Sequence, residues 1–391
     1  MPNINRLVSV IGRLSLVAII AVTVAGAVSV VPGFDGPAIA QDSGQVPGEA
    51  LGNTSDSEFW RQLRGGAQGT VSIPDKKAGV MIQSEGELWR NWRNGPLSSL
   101  GVFLLIGTVI IIAVFFAVRG RIKIDSGRSG RIIERFNSLE RFAHWLTGGT
   151  FIVLGITGLN IMYGRYVFGG QATGSGEFGG LHQFFAAVTA YGKLVHNFLA
   201  FGFMLGLVLI LVLWLRDNIP NRLDLKWLAV GGGMFTKNTH PPAKKFNAGQ
   251  KLLFWVVILG GLSMSLSGIS LMFPFTFAMF GKTFAALNVF GLGLPADLSV
   301  VEEMQLSQLW HALVSLVMIA IVIAHIYIGT LGMEGAFDAM GSGMVDENWA
   351  REHHGMWVAE IKGEAPPSDH DDGGAAPQEA AQPDDGKPQT A

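Results

Sequence analysis

Four histidines sit where an ionisable side chain is expensive. His144, His196, His311 and His325 fall inside apolar runs at about 142–162, 194–215 and 309–331 that contain no Asp, Glu, Lys or Arg. A titratable group in such a run marks a functional site by default. His144 and His196 each stand near the start of their run. Consecutive spans cross a membrane in opposite directions, so these two lie near opposite faces. His311 opens the last run and His325 follows 14 positions later. Fourteen residues is close to four helical turns, so both share one helix face, about 21 Å apart along the axis. The result is two depth-matched pairs, His196 with His311 and His144 with His325. Two imidazoles at one depth, facing across a gap between helices, are what axial ligation of a haem iron requires. A structural zinc site would want four ligands together. A proton transporter would show intramembrane Asp or Glu. A plain hydrogen-bonded helix contact suits one histidine better than four in matched pairs. Gly148 and Gly149, Gly202 and Gly206, and Gly260 and Gly261 would let a flat macrocycle approach the backbone.

The elements that must position these residues follow from composition. The chain has 391 residues, 49% hydrophobic and 15% charged, against roughly a quarter charged in soluble domains. Its apolar residues gather into runs long enough to cross a bilayer as helices. The expected fold is an all-α membrane protein: a four-helix transmembrane haem-binding bundle over 139–335, preceded by one additional transmembrane helix at 99–118. Residues 1–40 read as a signal peptide, with a basic start, an apolar middle and Ala38-Ile39-Ala40 as a small-x-small site. Residues 41–98 form a polar segment in which Trp60, Trp89 and Trp92 suit a membrane interface, a partner or a small local core. Residues 119–138 read as a linker, 336–362 as a C-terminal segment, and 363–391 as a disordered acidic tail.

Positive charge sets an expected topology. Basic residues crowd into 119–141 and 216–251, whereas 163–193 and 275–307 hold only Arg165, Lys193 and Lys282. The positive-inside rule places the basic stretches in the cytoplasm. A bacterial inner-membrane protein results, its mature N-terminus periplasmic and its C-terminus cytoplasmic. The absence of cysteine excludes disulfides, thiolate-held iron–sulfur clusters and covalently attached haem. A net charge of -2 gives no sign of a nucleic-acid partner.

One further stretch has chemistry to offer. Lys244–Trp255 reads KKFNAGQKLLFW and lies at the depth of the His144/His325 pair. Asn247 and Gln250 bring amide donors and acceptors, and Gly249 permits close approach. Two readings stand side by side: a quinone headgroup held at its carbonyls, and an ordinary helix N-cap at Asn247.

From about Arg135 to Glu360 the sequence resembles the gamma, cytochrome b subunit of respiratory formate dehydrogenase. The stretches that carry the likeness are RFNSLERFAHW, GKLVHNF, LRDNIP, KKFNAGQKLLFW, LWHALVSLVMIAIVIAHIYIGT and WAREHHGMW. The N-terminal additions resemble the longer bacterial form. The resemblance implies two haems b, one on His196 and His311, the other on His144 and His325. It implies a quinone pocket, for menaquinone or ubiquinone, framed by Asn247, Gly249, Gln250 and His325. It implies an alpha (molybdopterin) subunit that oxidises formate and a beta (iron–sulfur) subunit that relays electrons. This chain would then be a non-catalytic electron carrier between them and the quinone. The alternatives are the cytochrome b subunit of a hydrogenase or other molybdoenzyme, and a haem-free membrane anchor.

Overall fold

The computed structural model describes residues 86–167, 179–236 and 239–366. The expected signal peptide, most of segment 41–98 and nearly all of the acidic tail lie outside the described residues. Five helices are long and apolar enough to cross a membrane: Leu88–Arg119, Ser138–Gly164, Ala187–Trp214, Ala248–Met272 and Val300–Gly332. The protein is an all-α, multi-pass membrane protein.

Helix α1 (Gly86–Trp92) runs through a π turn at Arg93–Leu97 into α2 (Ser98–Arg119). The later spans are α3 (Ser138–Val167), α4 (Gly179–Trp214), α6 (Ala248–Met272) and α8 (Val300–Tyr327), with short helices α5 (Arg222–Ala229) and α7 (Met279–Asn288) between them. Their starts are written in the sequence. Asn137, Asn247 and Ser299 each accept from the backbone of the first turn, while Glu140, Gln250 and Glu302 reach back to the cap residue's own N–H. These reciprocal boxes satisfy helix-end donors that nothing else in a bilayer would meet.

Helix α3 packs along α4, α8 packs along α6 and α2, and α6 packs on α4. Close approach depends on glycine. A Cβ on Gly206 would meet the Thr147 backbone at 3.1 Å, one on Gly261 would meet Leu207 at 2.7 Å, and one on Gly260 would meet Met318 at 2.7 Å. These glycines, and Gly202 against Thr150, serve helix crossings rather than the macrocycle approach expected of them. The extra helix rests on the bundle where Gly101 meets Leu316 and Tyr163 donates to the Ser98 carbonyl at 2.9 Å.

Helices run longer than the apolar runs alone suggest. His182, ahead of the apolar run at 194–215, falls within α4, and Glu303, ahead of the run at 309–331, lies inside α8 and is buried. The Glu303 carboxylate accepts from the Phe280 and Gly281 N–H groups at 2.7 and 2.9 Å, and from Ser270 at 3.1 Å. It caps the start of α7, where a carboxylate complements the helix dipole. A buried acid is therefore present at the far end of this bundle, and its partners show it to be a structural cap.

At the opposite, basic end, segments read as a separate linker and C-terminal piece fold together. β1 (Ile132–Glu134) pairs antiparallel with β2 (Met344–Asp346), and Ile122 bridges Met333. The layer is completed by α9 (Ala336–Gly341) and α10 (Glu347–Lys362). Asp346 binds the Ser129 and Gly130 N–H groups, and buried Glu347 holds Arg131, Arg351 and Lys362.

Candidate haem-binding site

The structure brings the four membrane histidines together in the two expected pairs. His196 and His311 have ring centroids 6.2 Å apart, and so have His144 and His325. The planes are inclined at 71° and 65°. Two imidazoles bonded to one metal atom at about 2 Å each would have ring centres roughly this far apart.

At the far-end pair the ring orientation is fixed by hydroxyls. Thr157 Oγ1 lies 2.9 Å from His196 Nδ1, and Ser267 Oγ lies 2.9 Å from His311 Nδ1. Each hydroxyl donates its own hydrogen to a backbone carbonyl, Thr157 to Val153 at 2.8 Å and Ser267 to Ser263 at 3.0 Å. The oxygen is left to accept, which places the ring proton on Nδ1 and frees Nε2 for a metal. Gly158 and Gly268 stand against these rings; a Cβ there would come 3.3 Å from His196 and 3.6 Å from His311.

The basic-end pair is held differently. His144 Nδ1 is buried without a hydrogen-bond partner. Its ring stacks edge-on to Trp145 at 5.2 Å, and Trp145 donates from Nε1 to the Met340 carbonyl at 2.9 Å and meets Phe337 of α9. Gly148 and Gly329 stand four residues after His144 and His325, on the same helix faces. An added Cβ at either meets no atom within 4 Å. A pair of imidazole donors beside an open glycine face fits a flat, nitrogen-ligated macrocycle.

The amide segment is used mainly for structure. Asn247 and Gln250 form the capping box of α6, and the Gln250 side-chain oxygen also accepts from Arg135 at 3.2 Å. The close approach that Gly249 permits is taken by the Trp227 ring, 2.9 Å from where a Cβ would stand. No hydrogen bond or ring contact joins these residues to His325. The helix-cap reading is realised; the amide N–H groups remain as donors.

Some residues that matter were not singled out from sequence. Thr157 and Ser267 are inconspicuous among the many hydroxyls of apolar helices; only matching their depth to the histidines would have found them. Arg135 is buried between the Phe136 and Trp349 rings and donates to the Lys245 carbonyl at 2.7 Å. Burial lowers its guanidinium to about 9, with Glu140 opposing. In α10, burial first, then His240 and Arg135, lower His353 to about 3, and His354 is also held well below its usual range by burial.

Residues 135–343 match the prokaryotic cytochrome b561 family, more than half of the chain and all four histidines. The protein belongs to that family, and membership implies haem b. Among its relatives, the chain is 23% identical over 234 residues to the formate dehydrogenase, nitrate-inducible, cytochrome b556(Fdn) subunit of Escherichia coli K12. That match covers 59% of this chain and 93% of the relative. It is 22% identical, with the same coverage, to the formate dehydrogenase cytochrome b556(fdo) subunit of the same strain. It is 21% identical to the formate dehydrogenase cytochrome b556 subunit of Haemophilus influenzae, covering 61% of this chain and 87% of the relative.

Proposed function

We propose that this chain is the membrane cytochrome b subunit of a formate dehydrogenase, receiving electrons from an iron–sulfur subunit and delivering them to a membrane quinone. In this reading it binds two haems b, one between His196 and His311, the other between His144 and His325. Haem b supplies reversible one-electron carriage when bound. The observation that carries the reading is the repeated 6.2 Å imidazole pair at two depths of one apolar bundle.

The chain's own residues set the conditions. Thr157 and Ser267 fix the tautomer of the far-end ligands, and hydrogen bonding at Nδ1 strengthens the imidazole as a donor. Trp145 and α9 hold His144 in place. Asn247, Gly249, Gln250 and His325 mark the proposed quinone end, where the Asn247 and Gln250 amide N–H groups are free to donate to a quinone carbonyl. The charge distribution supports a cytoplasmic location for the basic end, from which protons reach the quinone.

The test is direct. The purified protein should show b-type bands in a reduced-minus-oxidised spectrum and two haems per chain by pyridine haemochrome assay. His311→Ala should leave one haem and abolish formate-driven quinone reduction in the complex; two haems in that variant would overturn the assignment. Asn247→Ala should keep both haems and slow quinone turnover; unchanged quinone kinetics would remove Asn247 from the pocket.

A further inference from the structure

A cavity of about 310 Å³ opens at the basic end, outside the matched histidine pairs. Its polar wall is made by Arg119, Arg121, Lys123, Asp125, His240 and His353. Its depth is fixed by the chain. Arg119 ends the first span, and Met333, also in the lining, directly follows the last span. Ile122 straps the two together by hydrogen bonds with Gly332 and Glu334, each 2.8 Å. The cavity therefore lies at the level where two apolar helices leave the membrane, the level of lipid headgroups.

Its charge balance favours an anion. The single acid among its described lining residues, Asp125, is engaged by His240 at 3.1 Å. Arg119 is locked in place by donating to the Met234 and Thr236 carbonyls. Arg121 and Lys123 are exposed and have no carboxylate partner among the described residues. His353 adds a buried Nε2 with no hydrogen-bond partner. Guanidinium and ammonium groups converging on one concavity match the oxygens of a phosphate. Exposed apolar side chains adjoin its lining residues in sequence, Val118 beside Arg119 and Phe235 between Met234 and Thr236. Val118 is 84% exposed and Phe235 71% exposed, and Phe235 lies against Phe115 of the first span.

We propose that this cavity binds the phosphate of an anionic phospholipid, with Arg121 and Lys123 as its free cations and the acyl chains laid over Val118 and Phe235. Basic pockets between helix ends at a cytoplasmic interface are suited to such headgroups. The three cations lie ahead of residue 135, where the family match begins, so the site belongs to the additional helix and its junction with the bundle. A free phosphate shares the headgroup chemistry but has no use for the exposed apolar side chains beside it.

Native mass spectrometry of the detergent-solubilised protein, with any subunits that co-purify, tests this. Phosphatidylglycerol, phosphatidylcholine and inorganic phosphate are the probes. The wild type should retain one phosphatidylglycerol per chain in preference to phosphatidylcholine, and millimolar inorganic phosphate should not displace it. The Arg121→Ala, Lys123→Ala double variant should bind phosphatidylglycerol roughly tenfold or more weakly while keeping the wild-type haem spectrum. Phe235→Ser should weaken the lipid as well. Equal retention of the two lipids by the wild type would overturn the proposal without recourse to any variant. So would unchanged binding in the double variant, or displacement of lipid by inorganic phosphate, which would mark a free-anion site.

Discussion

The two histidine pairs share a ring separation of 6.2 Å and differ in almost everything that surrounds them. At the far end, Thr157 and Ser267 orient the rings from inside the membrane helices α3 and α6. At the basic end no hydroxyl among the described residues does this. His144 is steadied by Trp145, and Trp145 by Met340 and Phe337, residues nearly 200 positions away in a layer outside the membrane. One site is specified by neighbouring helices alone, the other by helices plus a polar layer held together by charge. The first should therefore be insensitive to solvent conditions and the second should not.

The largest effects come from the ligands themselves. His196→Ala and His144→Ala should each remove one haem, and the two variants should lose different components of the b-type spectrum and of a redox titration. Loss of the same component in both would abolish the distinction between the sites.

Acid offers the next separation. Glu347 is lowered to about 2, chiefly by its hydrogen bond with Lys362 and then by Arg351 and Arg131. A carboxylate lowered on folding stabilises the native layer above its usual value near 4.5, and that stability fades as pH falls toward 2. Glu347 contributes up to about 3 kcal/mol at neutral pH. His353, lowered to about 3 by burial, acts with the same sign: below its ordinary value of 6.5 the unfolded layer takes up a proton that the folded layer refuses. Acidification should disturb the basic-end haem first. A stepwise acid titration followed by visible spectroscopy checks the order; simultaneous loss of both haems, or loss at the far end first, would contradict it.

Thr157→Val and Ser267→Ala probe the other side of the comparison. Removing a partner of a metal-bound imidazole typically costs about 10- to 100-fold in affinity. These variants should release the far-end haem more readily and raise its midpoint potential, because a less electron-rich imidazole favours the reduced iron. The basic-end haem should keep its potential. Equal shifts at both sites in a potentiometric titration would show that the hydroxyls act on the whole bundle.

The same contrast explains what could be read from sequence. The spans were legible because charge-free apolar runs of membrane length have few other uses, and the pairs were legible because helical rise converts spacing into depth. His311 and His325 needed only arithmetic. The basic-end layer was not legible. β1 and β2 are three residues each and pair across more than 200 residues, and nothing local in Ile132–Glu134 announces a partner at Met344–Asp346. In sequence, Gly202, Gly206, Gly260 and Gly261 read as room for a macrocycle because a glycine near a histidine looks the same whether a ligand or a helix approaches it. Only the fold shows that Gly206 and Gly261 meet Thr147 and Leu207.

Gly148 and Gly158 give the smallest and most discriminating effects. A methyl at Gly158 would stand 3.3 Å from His196 Cε1, so Gly158→Ala should push a ligand ring by a few tenths of an ångström and alter the electron paramagnetic signature of the far-end haem alone. A methyl at Gly148 would touch no protein atom within 4 Å, so by protein contacts alone Gly148→Ala is harmless. It should even favour helix α3 by up to about 1 kcal/mol. If a macrocycle lies against that face beside His144, the same methyl meets the ring edge, and haem occupancy at the basic end should fall while the haem-free protein becomes slightly more stable. The opposite signs matter, because a merely damaged helix would lower both. Full haem content in Gly148→Ala would mean that no flat group approaches this stretch of α3, and the basic-end pair would then have to hold its ligand from another side.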